Sequence, residues 1–240
     1  MAHSIILAPT VRSKAILQLF HQLEIKIESA IILPGSEPPF HSDSNLELDL
    51  YKLKKKFTFN LAEPLTETLS KSDIPFTVAP TNDVNHENFR QFLSEYKQSS
   101  FIYSGVAGCI LKEQLLTECR KSFIHSHGGV VPRFSGSTAF YYSILERGTF
   151  GATVFRVDEG LDTGEVLYQI EAFPYNAIDI DYIQDPVIRA EALALFCMRG
   201  PKDITMTALS NETEKRVTYH VIHPTLKHIA LNKTFGENGK

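Results

Sequence analysis

The feature that most constrains this chain is a recurrent alternation. Short apolar runs rich in β-branched residues are each followed by a stretch whose apolar residues return at helical spacing. Such alternation builds a parallel sheet, because parallel neighbours need a long crossover and a helix is the usual one. Ser4-Ile5-Ile6-Leu7 reads as a buried strand, and Ala15, Ile16, Leu19, Phe20 and Leu23 follow on one helical face. Ala30-Ile31-Ile32-Leu33 is a second strand, stopped by Pro34-Gly35. Ile74-Pro75-Phe76-Thr77-Val78 is a third, with Phe89, Phe92, Leu93 and Tyr96 as the inner stripe of the next helix. Phe101-Ile102-Tyr103 and Ser122-Phe123-Ile124-His125 are two more strands, separated by a short helix over Leu115 and Leu116. Residues 36–60 are polar and carry little pattern, and the basic run Lys52-Leu53-Lys54-Lys55-Lys56 reads as a solvated helix face.

Further along, a helix is predicted to open near Ser137-Thr138, to turn Phe140, Tyr141, Ile144 and Leu145 inward and to end at Gly148, which suits a left-handed residue after a helix. Residues 152–157 and 166–170 form a hairpin-like pair across a polar Asp/Gly turn. Asp185-Pro186 and Gly200-Pro201 bracket another helix, before a strand-like Arg216-Val217-Thr218-Tyr219 and a helical stretch from Pro224 to Leu231. The expected organisation is a catalytic domain over residues 1–180 with a C-terminal helical and strand extension, 181–240, packed on it.

With 240 residues, 43% hydrophobic and 22% charged, the chain has the balance of a globular protein and not of a disordered one. A net charge of −4 and a pI near 6.1 give no strongly basic face for nucleic acid. No apolar run is long enough to span a bilayer, and Met1-Ala2-His3-Ser4-Ile5 lacks the basic start of a secretory signal. The three cysteines, Cys109, Cys119 and Cys197, lack metal-ligand spacing and are odd in number, so a reducing cytoplasmic compartment is expected. The sequons at Asn211 and Asn232 would then be silent.

Three features concentrate chemistry: His125-Ser126-His127, the Gly/Pro loop after it, and Asp158-Glu159-Gly160-Leu161-Asp162-Thr163-Gly164. Residues two apart in a strand share a face, so His125 and His127 project together at a strand end, where ligands of open α/β sheets lie. A base beside a hydrogen-bond donor and an orienting carboxylate outlines an acyl-transfer site. Two histidines and a carboxylate can equally hold a metal, and histidines in a crowded loop can simply satisfy backbone groups. The spacing leaves all three readings open. No G-x-G-x-x-G follows a strand and no Walker A sequence is present, which disfavours a dinucleotide or P-loop enzyme.

The run from Phe123 through His125, His127, Gly128, Gly129 and Pro132 to Gly136, followed by Asp158-Glu159-Gly160-Leu161-Asp162-Thr163-Gly164-Glu165-Val166-Leu167, resembles the folate-dependent formyltransferases over about residues 70–172. That family includes glycinamide ribonucleotide formyltransferase, the N-terminal domain of methionyl-tRNA formyltransferase and the amino-sugar N-formyltransferases. The resemblance implies an α/β fold of Rossmann-like type with a mostly parallel mixed sheet. It also implies N10-formyltetrahydrofolate as co-substrate, a primary amine as acceptor and no metal. Counted from Pro132, the family histidine falls on His127 and the family aspartate on Asp162. The family asparagine position holds His125, a departure. By resemblance His127 assists proton transfer, Asp162 orients it, and His125 substitutes for the amide donor through a ring N–H. The pterin would be cradled by Gly108, Cys109, Ile110 and Leu111 and by Gly160, Leu161, Asp162 and Thr163. Pro132 and Gly136 would shape the loop, with Arg133 and Ser137 as polar contacts or, equally, a solvated arginine and a helix cap.

The first strand runs into Ala8-Pro9-Thr10-Val11-Arg12 and not into a glycine-rich phosphate loop, which argues against a purine-pathway acceptor. The absence of a basic C-terminal module argues against methionyl-tRNA. The architecture resembles the amino-sugar enzymes, whose acceptors are nucleotide-linked 4-amino-4,6-dideoxyhexoses. Tyr141, Tyr142, Tyr182, His220 and His223 are candidate lining for such a sugar. Alternatives are a formyltetrahydrofolate hydrolase and a folate-binding protein that lost catalysis with the asparagine. Partners are expected to be small molecules, with neither nucleic acid nor membrane, and the oligomeric state stays open, a homodimer included.

Overall fold

The computed structural model describes residues 3–37, 45–106, 108–176, 178–199 and 215–235. In chain order the elements are β1 (His3–Leu7), α1 (Val11–Gln22), β2 (Ile27–Ile32), β3 (Leu46–Leu50), β4 (Lys55–Phe59), α2 (Leu65–Lys71), β5 (Phe76–Val78), α3 (Glu87–Ser94), β6 (Ser100–Ser104), α4 (Glu113–Glu118), β7 (Ser122–His127), β8 (Ser135–Gly136), α5 (Ala139–Arg147), β9 (Phe150–Arg156), β10 (Val166–Ala172), α6 (Asp185–Arg199), β11 (Thr218–Tyr219) and α7 (Pro224–Phe235). One turn of wider π helix, Ile180–Gln184, leads into α6.

A seven-stranded sheet in the order β10-β9-β7-β6-β1-β2-β5 forms the frame. Pairing is parallel from β7 through β6, β1 and β2 to β5, while β9 runs antiparallel to both β7 and β10. This is the mostly parallel mixed sheet that the alternation predicts. Both faces are covered, and that is why the strands read as continuous apolar runs. Ile5, Leu7, Ile32, Ile102 and Ile124 face one core, while Ile6, Ile31, Phe101, Tyr103 and Phe123 face the other. Each such side chain, taken fully out of water, stabilises the fold by about 1.5–3 kcal/mol.

Helix α6 is buried nearly all round, through Val187, Ile188, Ala190, Ala192, Leu193, Ala194 and Leu195. Its alanines let it lie close against α1, β7 and β9. Helix α5 ends at Gly148 with φ 73°, the left-handed residue expected there. Thr138 precedes α5 in a left-handed conformation and makes no side-chain cap. Its Oγ1 instead accepts a hydrogen bond from the Ile222 amide at 2.9 Å, which ties the C-terminal segment to the start of α5. Gly200-Pro201 and the Asn211 sequon lie outside the described residues.

One expectation is corrected. The Lys52–Lys56 run is no helix face: it forms the turn of the β3–β4 hairpin and the first residues of β4. The alternation was present in Leu46, Leu48, Leu50, Phe57 and Phe59, all paired across the hairpin. No Asn-Gly or Asp-Gly marks the turn, and Lys54 takes its left-handed position at φ 53°. What holds the turn comes from far away in sequence. The buried Glu191 carboxylate of α6 accepts hydrogen bonds from the Lys52 and Leu53 amides at 2.8 and 2.9 Å. Two bonds to a charged acceptor, offset by water reaching the freed amides, put the cost of Glu191→Ala at about 1–3 kcal/mol. A lower denaturation midpoint at unchanged m-value is the expected result, and an unshifted midpoint would show that the hairpin holds its turn without α6.

Candidate active site

Strand β1 has β2 on one side and β6 on the other, so the strand order reverses there. Such a switch point opens a crevice at the carboxyl ends of the strands. Here that crevice widens into a cavity of about 560 Å³, a size suited to a small organic ligand. His125 and His127, alternate residues at the end of β7, both line it. Gly108, Cys109, Ile110 and Leu111 line it from the segment after β6, and Gly160, Leu161 and Asp162 from the loop between β9 and β10. Thr163 is the exception among the sequence-predicted site residues. Its Oγ1 donates to Asp158 Oδ1 at 2.6 Å, so the hydroxyl closes its own loop and does not line the cavity.

Asp162 sits 9% exposed, in a left-handed conformation at φ 54°. Its Oδ2 accepts from the Gly136 amide at 2.7 Å, its Oδ1 lies 3.5 Å from His127 Nδ1, and its carbonyl accepts from Arg216 Nη1 at 2.8 Å. His127 Nε2 lies 3.0 Å from the Phe134 carbonyl, which can only accept, so Nε2 carries the hydrogen. When neutral, His127 therefore turns its lone pair at Nδ1 toward the Asp162 carboxylate. Only the imidazolium satisfies that contact. Burial holds the His127 pKa below its ordinary value, and Asp162 works against that shift.

The same reasoning fixes His125. Its Nδ1 lies 2.9 Å from the Tyr103 carbonyl and must donate there. The ring meets Phe155 edge-on at 5.7 Å between centroids, and its Nε2 makes no hydrogen bond among the described residues. Burial, then the Arg189 guanidinium, push the His125 pKa down to about 3, so the ring is neutral at working pH. The expectation that His125 offers a ring N–H in place of an amide is thus corrected: its only N–H is engaged by Tyr103, and the nitrogen left free is a lone pair.

Sequence reasoning passed over four charged residues of this cavity, Arg12, Asp181, Asp185 and Arg189. Arg12, the second residue of α1, donates to the Gly105 carbonyl at 3.4 Å and stays cationic although burial lowers its pKa to about 10. Arg189 pairs with Asp185 one turn earlier on α6 at 2.8 Å and donates to the Ser126 carbonyl at 3.0 Å. The Asp185/Arg189 spacing was the available signal, but at that spacing a surface pair reads the same way. The Tyr103 hydroxyl is buried beside Cys109, another polar group at this cavity. Gly128 lies tight beside them: a Cβ there would sit 2.0 Å from Asp185 Oδ1 and 2.6 Å from Arg189 Nη2, so that pair would have to shift.

The residues expected around a sugar are elsewhere. Tyr141 donates to Asp181 at 3.0 Å, Tyr142 stacks on Tyr219 at 4.2 Å, and Tyr182, His220 and His223 do not line the cavity. Asp181, Phe140 and Val221 line it instead. Arg133 forms a fork with Glu146 at 2.7 and 3.1 Å, whereas Ser137 does line the cavity. No group of three or more His, Cys, Asp or Glu with metal-holding geometry occurs among the described residues. No helix among them is long and apolar enough to cross a membrane.

Residues 61–187 match the family described as Formyl transferase. A methionyl-tRNA formyltransferase from Prochlorococcus marinus (strain MIT 9515) is 30% identical over 110 residues, 45% of this chain and 33% of that protein. The matched part thus spans about a third of the length of such curated relatives. Among solved structures, a sugar N-formyltransferase from Shewanella sp FDAARGOS_354 is similar at TM-score 0.55 and 14% identity, covering 99% of this chain and 90% of that one. A phosphoribosylglycinamide formyltransferase from Streptococcus pneumoniae TIGR4 is similar at TM-score 0.52 and 18% identity, covering 81% and 95%. At these identities the structural likeness is one of fold.

The His127–Asp162 geometry has a measurable consequence. Asp162 raises the His127 pKa against burial, so Asp162→Asn should lower it further and keep the ring neutral to more acid pH. Titration of the imidazole carbon-bound protons by NMR reads this directly. An unchanged or higher pKa in the variant would remove Asp162 as the group that stabilises the charged ring.

Proposed function

The chain belongs to the formyl transferase family, and from that premise we propose that it transfers a formyl group from N10-formyltetrahydrofolate to a primary amine of a small molecule. We take the acceptor to be the 4-amino group of a nucleotide-linked 4-amino-4,6-dideoxy sugar. The observation that carries the reading is the convergence of His125, His127 and Asp162 with the segments 108–111 and 160–162 on one cavity. Those segments supply backbone groups flanked by exposed apolar side chains, Ile110 at 52% and Leu161 at 44%. A flat hydrogen-bonding bicycle such as a pterin fits between such walls. The amino-sugar acceptor is favoured by the lack of a glycine-rich loop after β1 and by a shared fold with a sugar N-formyltransferase that extends along nearly the whole chain.

In this reading the amine attacks the formyl carbon, the carbonyl oxygen gains negative charge, and the bond to N10 then breaks. Arg12 and Arg189, the latter paired with Asp185, bring two guanidinium groups to the cavity, and these are the groups that can answer charge developing on the formyl oxygen. His127 and Asp162 hold the loop at Gly136 and provide a site for a proton at Nδ1.

The test is tetrahydrofolate release from N10-formyltetrahydrofolate with and without a panel of nucleotide-linked 4-amino sugars. Release that depends on one sugar is expected, with kcat/KM falling by about 10²–10⁴-fold in Asp162→Ala. Release without any amine would replace this reading with hydrolysis. Tight folate binding without release under any condition would leave a binding protein.

A further inference from the structure

We infer that the proton acceptor for the attacking amine is His125, through its Nε2 lone pair, and that the position filled by an amide donor in the resembled family has become a base here. The inference rests on the formyl-transfer reading and names the group that takes the proton. Two contacts carry it. The Tyr103 carbonyl takes the Nδ1 hydrogen of His125 at 2.9 Å, which leaves Nε2 bare and without a partner among the described residues in a ring that lines the cavity. His127 Nε2 gives its hydrogen to the Phe134 carbonyl, and its Nδ1 lone pair is turned toward the Asp162 carboxylate 3.5 Å away, so Asp162 stands on the edge that an amine would have to approach. Of the two bare ring nitrogens, that of His125 has no carboxylate within ion-pair distance among the described residues, whereas that of His127 faces Asp162.

The groups around His125 agree with this assignment. Tyr103 faces it from β6, His127 from its own strand, Arg12 from α1, Arg189 with Asp185 from α6, and Asp158 and Asp162 from the loop after β9. The two guanidinia discourage a proton on His125 in the free protein. As the formyl oxygen gains charge, it offsets their repulsion, and the basicity of Nε2 rises at the moment the amine nitrogen must lose a proton. The step balances within the site. The amine nitrogen bonds to the formyl carbon, its proton moves to Nε2, and His125 becomes an imidazolium still donating from Nδ1 to Tyr103. When the carbon–N10 bond breaks, that proton leaves with N10, so the products are the N-formyl amine and tetrahydrofolate.

Four measurements test this. Long-range ¹H–¹⁵N correlation of the wild-type protein at pH 7 should show His125 protonated at Nδ1 and bare at Nε2, whatever the activity; a hydrogen on Nε2 overturns the inference by itself. His125→Asn restores an amide donor but no base, so kcat/KM should fall by about 100-fold or more, while thermal unfolding reports that the chain is folded. An Asn variant as active as wild type overturns the inference and returns the position to oxyanion donation. His125→Ala should regain rate with added imidazole in proportion to its neutral form, and rescue by the protonated form would contradict the assignment. Wild-type kcat/KM should show no acid limb from His125 above about pH 5, because the ring is already neutral there. A wild type that transfers formyl to no amine would refute the functional reading, an outcome distinct from a misplaced hydrogen on His125.

Discussion

Asp162 ties its own loop to the end of β7, to Gly136 and to the C-terminal segment. One oxygen holds the Gly136 amide, the other faces His127 at the end of β7, and its carbonyl takes a hydrogen bond from Arg216 in the C-terminal segment. That arrangement needs a left-handed residue with a side chain, at φ 54°. Aspartate tolerates this region better than most residues because its short polar side chain bonds nearby backbone. The loop around it is drawn tight by Thr163 and Gly160, which both hydrogen-bond Asp158. The cavity wall is therefore built by backbone groups of several loops and not by one element.

Gly136 shows how closely these loops are packed. It pairs with Tyr219 in the two-stranded β8–β11 ladder, at φ 91°, and a Cβ would lie 2.2 Å from the Tyr219 carbonyl. The C-terminal segment thereby touches the wall of the cavity, and Arg216 reaches Ser135 as well as Asp162. A large rigid sheet, covered on both faces, carries the histidines, and a more open set of loops closes around them. This division of labour is general: packing makes the platform, and loops place the polar groups.

An imidazole at position 125 differs from an amide in more than hydrogen-bond strength. An amide presents a donor and an acceptor together, whereas a neutral imidazole presents one of each on opposite edges. Whichever edge meets the backbone determines what the other edge offers to a ligand. Here the Tyr103 carbonyl takes the hydrogen, so the cavity receives a lone pair.

Much of the fold was legible in local pattern. The strands at β1, β2, β6 and β7 are apolar on both faces, and α1 and α3 show their inner stripes, because period and turn chemistry are properties of neighbouring residues. The β3–β4 hairpin was not, since its turn lacks glycine and is held by Glu191 from α6. Residues 108–111, His125, His127 and Asp162 could be named from the spacing and resemblance of their loops. The Thr163 hydroxyl bonds Asp158 within its own loop, a contact that the spacing did not reveal. Arg12 and Arg189 reach the cavity from helices that sequence separates by well over half the chain, and their convergence exists only once α1 and α6 pack together. Which nitrogen of His125 bears the hydrogen also depends on a neighbouring strand. The sequence by itself determined which residues stand at the strand ends; the tertiary structure decided their charge and hydrogen-bond sense, because those depend on burial and on partners brought from elsewhere in the chain.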